Sequence, residues 1–371
     1  MQITVRQVNG RWMKARTISG STYGAQSARV VIDRLGGMTV AWVRSRCRVG
    51  DPPRCGTRSF VQARSASAGG RWGPIETLGR ASYDPALAVV AEARGGASVA
   101  WQAGDGIHVA RHASARRFDR AVSFGQGDGT PALTTSIDGR AYIAFATIPT
   151  GAPEQDVAQP FIAVAVRDRD GHWQAPRQVS GRPAAQPRLT VAADGALVVA
   201  WRESALNTDD MPRYGGVGAA LGSADGNLGP VLHVADARTT GLLLAAGPTG
   251  ETVLAWSSPT DVTGPLDYAI RADKTATFGP VRRVPGSSAD LALGLGTLAV
   301  LDDGRTLFVG PNAGRTGVRL AVRPARKTFS AARLILRRGS APMIAVAGPR
   351  AAVVYLEGSD QITRVVTLSR R

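Results

Sequence analysis

The stretch of sequence that decides the fold reads LTVAADGALVVAW and occupies residues 189–201. Two apolar runs flank the Asp-Gly pair at residues 194–195. Such a pair between β-forming runs indicates a tight hairpin, because glycine adopts a positive φ without a Cβ clash. Residues two, four and six positions after the glycine, Leu197, Val199 and Trp201, share one face of the second strand. The stretch therefore predicts an antiparallel hairpin whose second strand carries a buried tryptophan.

This hairpin recurs along the chain, with glycines 44 to 59 residues apart. The hairpin glycines are Gly36, Gly95, Gly139, Gly195, Gly250 and Gly304, and six positions later stand Trp42, Trp101, Phe145, Trp201, Trp256 and Gly310. A degenerate copy covers residues 350–356. A second signature, a strand followed by a turn with a large apolar residue, alternates with the first at Trp12, Trp72, Phe118, Trp173, Leu228, Phe278 and Phe329. Two hairpins per period of this length are typical of a four-stranded propeller blade.

The repeats predict an all-β chain that forms a single β-propeller domain over residues 1–371. Seven four-stranded blades are expected, with six or eight as alternatives. The chain opens on the second signature and ends on the first, so we expect N-terminal and C-terminal half-blades to close the ring. An apolar strand at residues 362–369 does not fit this count. Either it is the third strand of the last blade, and residues 3–8 have another role, or further sequence precedes this chain.

The net charge of +17 does not by itself indicate a nucleic-acid partner. Arginine supplies all but three of the 45 basic residues, and the arginines are scattered through the repeats, whereas a surface that follows a phosphate backbone needs a concentrated stripe. No apolar run is long enough to span a bilayer, and the N-terminal residues lack the apolar core of a signal peptide. We expect a monomer without a membrane span, without a signal peptide in this chain and without a nucleic-acid partner.

The two cysteines, Cys47 and Cys55, lie in one loop between the second and third strands of a blade. Two such residues could form a disulfide, bind a metal as a pair or remain two inert thiols. Zinc prefers four ligands, and no histidine or further cysteine lies near these two in the sequence. The residues favour a Cys47–Cys55 disulfide, and hence an extracytoplasmic, secreted or cell-surface protein. We expect neither a metal site nor a cofactor.

The turn at residues 65–72 has the form Ser-x-Ser-x-Gly-x-Arg-Trp. With the tandem blades, it resembles the bacterial sialidase-like β-propellers, whose Asp-box (BNR-type) repeat reads Ser-x-Asp-x-Gly-x-Thr-Trp. The aspartate and threonine are absent here, so the resemblance is one of architecture. It implies a sialidase-like fold; an active sialidase would also need three arginines, a Tyr–Glu pair and a further acid. Glu203 and Tyr214 are the nearest candidates for the pair, with a solvated loop as the alternative.

The long connections at residues 44–59, 146–160, 202–216 and 257–267 are expected to gather on one face of the propeller, where a ligand would bind. The candidate ligand-binding residues are Arg44, Arg46, Arg202, Glu203, Asp209, Asp210, Arg213 and Tyr214.

The four histidines, His108, His112, His172 and His233, are expected to be solvated or edge residues in third strands and turns. No catalytic residue can be assigned. The sequence favours a non-catalytic recognition propeller that binds a glycan or a cell-envelope component. A divergent sialidase-like glycoside hydrolase or lyase and a protein-interaction scaffold are the alternatives.

Overall fold

The computed structural model describes most of the chain, and every regular element in the described part is a β-strand. The described residues are 2–3, 16–19, 24–45, 59–82, 87–113, 117–148, 160–206, 212–236, 238–257, 264–287, 296–312, 317–338, 340–347, 350–357 and 362–368. Within these ranges no helix is long and apolar enough to cross a membrane. The all-β prediction is confirmed.

Six four-stranded sheets follow one another along the chain, and consecutive strands are antiparallel neighbours within each sheet. Sheet 1 contains β3 (Gly24–Ile32), β4 (Met38–Ser45), β5 (Ser59–Ala66) and β6 (Glu76–Ala81). Sheet 2 contains β7 (Leu87–Ala91), β8 (Gly96–Ala103), β9 (Gly106–Ala113) and β10 (Val122–Ser123). Sheet 3 contains β11 (Asp128–Thr135), β12 (Ala141–Thr147), β13 (Phe161–Arg167) and β14 (Arg177–Gln178).

The second half of the chain repeats this pattern. Sheet 4 contains β15 (Ala184–Val191), β16 (Leu197–Leu206), β17 (Pro212–Gly222) and β18 (Leu232–Ala235). Sheet 5 contains β19 (Gly241–Ala246), β20 (Thr252–Ser257), β21 (Leu266–Arg271) and β22 (Arg282–Arg283). Sheet 6 contains β23 (Thr297–Val300), β24 (Thr306–Pro311), β25 (Val318–Arg323) and β26 (Arg333–Leu336). Each sheet is a four-stranded antiparallel meander, the unit from which propeller blades are built.

The last sheet differs from the others in its strand count. Sheet 7 has three strands, β27 (Ser340–Ala347), β28 (Arg350–Glu357) and β29 (Ile362–Leu368). Near the N-terminus β1 (Gln2–Ile3) pairs with β2 (Arg16–Thr17). The strand at residues 362–368 is thus the third strand of the last sheet, which is one of the two alternatives that the sequence left open for it. The blade count and the closure of a ring by terminal half-blades stay predictions.

The chain divides into two compact units. The first comprises Met1–Pro153 with Ala165–Pro176, and the second comprises Glu154–Val164 with Arg177–Arg371. Sheets 1 and 2 lie wholly in the first unit and sheets 4 to 7 wholly in the second. The single domain over residues 1–371 remains a prediction.

The hairpin between the first two strands of each sheet has the predicted form. All six hairpin glycines adopt φ between +78° and +94°. Each donates its N–H to the carbonyl three residues earlier, at 2.9 to 3.1 Å. The positive φ explains why glycine recurs at this position, since a side chain there would be strained. We call this end of each sheet the hairpin end, and the opposite end, where the second strand connects to the third, the loop end.

The recurrent tryptophans form the core, as predicted. Trp42, Trp101, Trp201 and Trp256 lie in the second strands of their sheets and are at most 1% exposed. The small residue before each tryptophan faces a neighbouring sheet. Ala41 packs in one cluster with Trp101, and Ala200 packs in one with Trp256. The alanine admits the indole of the next sheet, which explains the spacing of small and large residues.

Arginines at the hairpin end join neighbouring sheets. Each occupies what we call the interlock position of its third strand. In the turn between the third and fourth strands, the residue after the large apolar residue donates its N–H to a carbonyl of the third strand. The interlock position is the residue that follows this carbonyl. The six residues at this position are Ala66, His112, Arg167, Gly222, Arg271 and Arg323. The three arginines pair with acids on the hairpin of the preceding sheet, Arg167 with Glu92, Arg271 with Asp194 and Arg323 with Glu251. Charge at the hairpin end therefore holds sheet against sheet.

The pair between Glu92 and Arg167 is the most enclosed of these contacts. Both side chains are 2% exposed, and two hydrogen bonds of 2.6 and 3.0 Å join the guanidinium to the two carboxylate oxygens. Ser98 donates to Glu92 and accepts from Arg167 at 3.3 Å. Such a fork geometry compensates the desolvation of both charges. Removing Arg167 would leave the buried Glu92 with Arg111, at 3.7 Å, as its remaining cationic partner.

Candidate functional site

The loop end of each sheet carries a row of side chains beside the buried aromatic. An aromatic row consists of the residue six positions after the hairpin glycine and the residues paired with it on the third and fourth strands. The rows read Trp42–Gln62–Thr77, Trp101–His108–Ser123, Trp201–Gly218–His233, Trp256–Asp267–Arg283 and Gly310–Arg319–Leu334. The first member is structural and nearly constant. The second and third vary in chemistry from sheet to sheet, as ligand-contacting positions do on a repeated scaffold.

The row of sheet 4 differs from the others because its third-strand member is a glycine. A Cβ on Gly218 would lie 2.4 Å from Nε1 of Trp201 and 3.1 Å from Oε1 of Glu203. A Cβ on Gly216 would lie 2.9 Å from Cε1 of His233. The missing side chains let groups from β16 and β18 meet across β17. These glycines thus create a contact that no other described row has.

The groups that meet there are a carboxylate and an imidazole. Nδ1 of His233 lies 3.3 Å from Oε2 of Glu203, and its Nε2 lies 2.7 Å from Oδ1 of Asp236. The Glu203 side chain is only 10% exposed, while His233 is 42% and Asp236 99% exposed. A carboxylate accepts hydrogen bonds, so Nε2 of His233 donates to the solvated Asp236, while its Nδ1 faces the buried Glu203. We call this cluster of Glu203, His233 and Asp236, which is buried at Glu203 and solvated at Asp236, the polar recess.

The indole of Trp201 underlies this recess. Its Nε1 is buried and has no hydrogen-bond partner among the described residues. In sheet 2 the corresponding Nε1 of Trp101 donates to the carbonyl of Arg80 at 2.8 Å. Sheet 4 thus keeps the buried ring without this hydrogen bond, as does sheet 5, where Nε1 of Trp256 is also buried without a partner among the described residues.

Three of the predicted ligand-binding residues are described with their side chains, namely Arg44, Arg202 and Glu203. Arg44 and Glu203 occupy equivalent positions, two residues after the core tryptophans of sheets 1 and 4. The backbone of Arg213 and Tyr214 lies in β17, but their side chains are outside the described residues. Arg46, Asp209 and Asp210, and both cysteines of the expected disulfide, also lie outside them. That the eight residues bind a ligand stays a prediction.

The prediction that residues 202–216 form a long loop is wrong in part. β16 continues to Leu206 and β17 begins at Pro212, and the two strands pair through Ser204 with Tyr214 and Ala205 with Arg213. An irregularity in the pairing after Arg202 lets β17 accommodate an additional residue, so the strands extend past the tryptophan. Glu203 therefore sits on a strand that is paired on both sides.

The prediction for the histidines is wrong for one of them, His112. His233 is 42% exposed and lies in the fourth, outermost strand of sheet 4, so it is an edge residue as predicted, although not in a third strand or turn. His112 is 3% exposed, and burial lowers its pKa below the usual range. A polar residue or glycine between apolar neighbours marks the third-strand member of several rows, as in Val217-Gly218-Ala219. This pattern of a polar residue or glycine between apolar neighbours is visible in the sequence and could have located the third-strand members of these rows.

The row of sheet 2 contains a second histidine–carboxylate pair. His108 stacks on Trp101 at a ring separation of 5.6 Å, and its Nε2 lies 2.8 Å from Oδ1 of Asp105. The hydrogen bond to His108 lowers the pKa of Asp105. A cavity of about 510 Å³ opens here, and its lining includes Arg80 and Leu78 from β6. The pair is held on the ring of the core tryptophan rather than across a glycine strand.

Metal binding receives no support at either pair. In the described part of the chain, no group of three His, Cys, Asp or Glu side chains is arranged to hold a metal ion. The two described histidine–carboxylate pairs offer hydrogen bonding, charge and proton transfer by imidazole and carboxylate groups.

Comparisons with known proteins identify the architecture. No protein-family model matches the chain, and no curated protein matches its sequence. Among solved structures, polysaccharide lyase Uly1 is similar with a TM-score of 0.54 and 9% identity, over 91% of this chain and 88% of that one. Hadza microbial sialidase Hz136 gives 0.51 and 16%, over 90% and 76%. A puromycin hydrolase gives 0.52 and 17% over 91% of this chain, which covers only 51% of that enzyme. At such identities the likeness concerns the fold alone, and the architectural resemblance to sialidase-like β-propellers is confirmed.

Proposed function

We propose that this chain recognises a carbohydrate, without cleaving it, at the loop end of sheet 4. The observation that supports the proposal is the recess of Glu203, His233 and Asp236 over the glycine strand. A sugar presents hydroxyl groups that both donate and accept. A buried carboxylate beside a half-exposed imidazole offers matching partners in a fixed geometry. Two of the similar solved structures are named as a sialidase and a polysaccharide lyase, which makes glycans the first ligands to test.

The engagement of both carboxylates with His233 argues against glycoside hydrolysis. Hydrolysis needs one carboxyl group to remain protonated as general acid and a second to act as nucleophile or base. Glu203 lies 3.3 Å from Nδ1 and Asp236 2.7 Å from Nε2 of the imidazole, so one side chain engages both carboxylates. Neither is an isolated acid in an apolar setting. The recess therefore suits binding better than hydrolysis.

A lyase is the second candidate, and one observation favours it. His233 is exposed on one side and backed by the buried Glu203, and a carboxylate behind an imidazole is a common way to orient a base. Such a base could remove a proton from a uronate through Nε2 once the exposed Asp236 carboxylate, which contacts Nε2 at 2.7 Å, moves aside. Ultraviolet absorbance of an unsaturated product, after incubation with uronate-containing polysaccharides, distinguishes a lyase from a binding protein.

The test is an array of sialylated, uronate-containing and neutral oligosaccharides, probed with the wild type and with Glu203→Gln and His233→Asn. Loss of a charge-assisted hydrogen bond should weaken binding about tenfold or more. His172→Asn is the matched control, because His172 also faces an acid, Asp168, at 3.6 Å, but at the hairpin end. The proposal fails if no glycan binds, or if all three variants bind as the wild type does.

An extracytoplasmic location forms part of the proposal. It rests on the Cys47–Cys55 disulfide that the sequence favours. Mass spectrometry of exported, unreduced protein should find these two residues joined. Two free thiols in such material would remove the support for this location.

A further inference from the structure

The interlock position of sheet 2 departs from the arginine pattern and leaves a pocket. His112 stands where sheets 3, 5 and 6 have an arginine. Its Nε2 lies 2.8 Å from Oγ1 of Thr39, and its Nδ1 donates to the carbonyl of Ala113 at 3.0 Å. Thr39 is the counterpart of Ser98, because each follows its hairpin glycine by three residues. His112 therefore occupies, between sheets 1 and 2, the base of a slot equivalent to the one that Arg167 fills between sheets 2 and 3.

The acid of that slot is present but has no cationic partner. Asp33 is the counterpart of Glu92, since each stands three residues before the hairpin glycine. Asp33 is 8% exposed, and its carboxylate accepts from the N–H groups of Leu35, Gly37 and Gly96 at 2.7 to 2.9 Å. In the described part of the chain it forms no ion pair. The imidazole of His112 is shorter than an arginine side chain and does not reach it.

The space that the shorter side chain leaves is a pocket of about 470 Å³. Besides Asp33, Thr39 and His112, its lining includes Glu76, whose Oε2 accepts from the N–H of Phe118 at 3.1 Å and forms no ion pair among the described residues. Trp72 forms part of the wall, and the guanidinium carbon of Arg64 lies 5.8 Å from the centre of its ring. The volume lies in the range of small-molecule sites. Two carboxylates, a hydroxyl and an aromatic wall are the surroundings that a guanidinium group prefers.

Two exposed arginines at the rim complete the lining. Arg71 and Arg117 face the same pocket from the turns between the third and fourth strands of sheets 1 and 2. Being exposed, they are screened by solvent and repel a bound cation only weakly. They also offer partners for an anionic substituent at the mouth of the pocket.

We propose that this pocket binds a guanidinium-bearing ligand, free arginine or the arginine side chain of a peptide, which takes the place of the missing interlock arginine. The guanidinium donates to Asp33 and Glu76, and a carboxylate on the ligand pairs with the rim arginines. The inference is independent of carbohydrate recognition at the loop end, since it concerns the opposite end of sheets 1 and 2.

Titration calorimetry with arginine and with citrulline tests the proposal. Citrulline has nearly the same shape and the same α-amino and α-carboxyl groups but lacks the guanidinium charge. We expect saturable binding of arginine and at least tenfold weaker binding of citrulline. Agmatine, which lacks the carboxylate, should bind more weakly than arginine if the rim contributes. Equal affinity for arginine and citrulline, or no saturable binding of arginine, would overturn the proposal.

Two variants locate the site. His112→Arg supplies the guanidinium from the chain itself and should abolish arginine binding. Glu76→Gln removes one acceptor charge from a partly exposed side chain and should weaken arginine binding about tenfold, so it remains informative if the first variant does not fold. Arg94→Gln, at an exposed residue of the sheet 2 hairpin, is the matched control and should bind as the wild type does. Wild-type affinity in both pocket variants would contradict the assignment.

Discussion

The two ends of the sheets use charge in opposite ways. At the hairpin end, Arg167, Arg271 and Arg323 stand at one position of the third strand, and each pairs with an acid of the preceding sheet. At the loop end, the aromatic rows keep their buried tryptophan and change the neighbouring residue in almost every sheet. Repetition in three sheets indicates a structural role, because these sheets face the same packing problem. Variation on a fixed scaffold indicates contacts with something outside the chain.

The largest expected effect of a substitution lies at the hairpin end. Arg167→Met should cost about 3–5 kcal/mol in the free energy of unfolding, because it leaves Glu92 buried with only the longer contact, 3.7 Å, to Arg111. The double variant Glu92→Leu/Arg167→Met should recover most of that loss, since two apolar residues leave no buried charge. Urea denaturation of both variants measures the difference. A single variant as stable as the wild type would show that the pair is not structural.

A smaller effect is expected from the glycine strand of the loop end. Gly218→Ala places a Cβ 2.4 Å from Nε1 of Trp201, so either the indole or β17 must move. Overpacking of this kind costs about 1–3 kcal/mol. The same variant should lose glycan binding because Glu203 and His233 are displaced. Gly229→Ala, where the nearest atom to an added Cβ would be 3.3 Å away, is the milder control. A Gly218→Ala variant that binds normally would separate the recess from recognition.

The pH dependence of stability sharpens the comparison within the hairpin end. Burial lowers the pKa of His112 below its usual value near 6.5, so the folded chain holds fewer protons on this residue than the unfolded chain does. Its contribution to stability is complete above that value and is lost as the pH falls toward the folded pKa. The slope from one proton is at most about 1.4 kcal/mol per pH unit. His112→Gln should flatten the curve below pH ~6.5; an unchanged slope would assign the pH dependence to other groups.

The smallest effect is expected where a hairpin acid is solvated. Burial tends to raise the pKa of Asp138, but hydrogen bonds from Ser136 and Arg169 outweigh it and lower the pKa to about 2. Its stabilising contribution is present above pH ~3.8 and is lost as the pH falls from there toward 2. Arg169 is 56% exposed, so Arg169→Ala should cost only about 0.2–1 kcal/mol at neutral pH. A loss as large as that of Arg167→Met would contradict the distinction between buried and surface pairs.

The sequence was sufficient to predict the sheets but not the contacts between them. The tryptophans recur at one offset from a glycine, so a single pattern finds them all. The interlock acids have no such offset, because Glu92 precedes its hairpin glycine by three residues, Asp194 precedes its own by one, and Glu251 follows its own by one. An acid at any of these three positions on the tight turn can reach the interlock arginine of the next sheet, so no fixed spacing in the sequence reveals the contact.

The candidate site was predicted in part for a related reason. Glu203 could be chosen because it follows a core tryptophan at the end of a strand. His233 lies 30 residues further along the chain. The two side chains meet because Gly218, which lies on the strand between them and pairs with His233, has no side chain to separate them. Register of this kind depends on irregularities in the strands, which the apolar pattern does not reveal.

The most direct test of the account measures glycan affinity and unfolding free energy on the same two proteins, His233→Asn and Arg271→Met. The ligand is the oligosaccharide that the wild type binds best on the array. We predict that His233→Asn loses about tenfold or more in affinity and changes stability by less than about 1 kcal/mol. Arg271→Met should lose about 3–5 kcal/mol of stability and, while folded, bind with wild-type affinity. The reverse result, with recognition lost at the hairpin end and stability lost at the loop end, would contradict the division of roles.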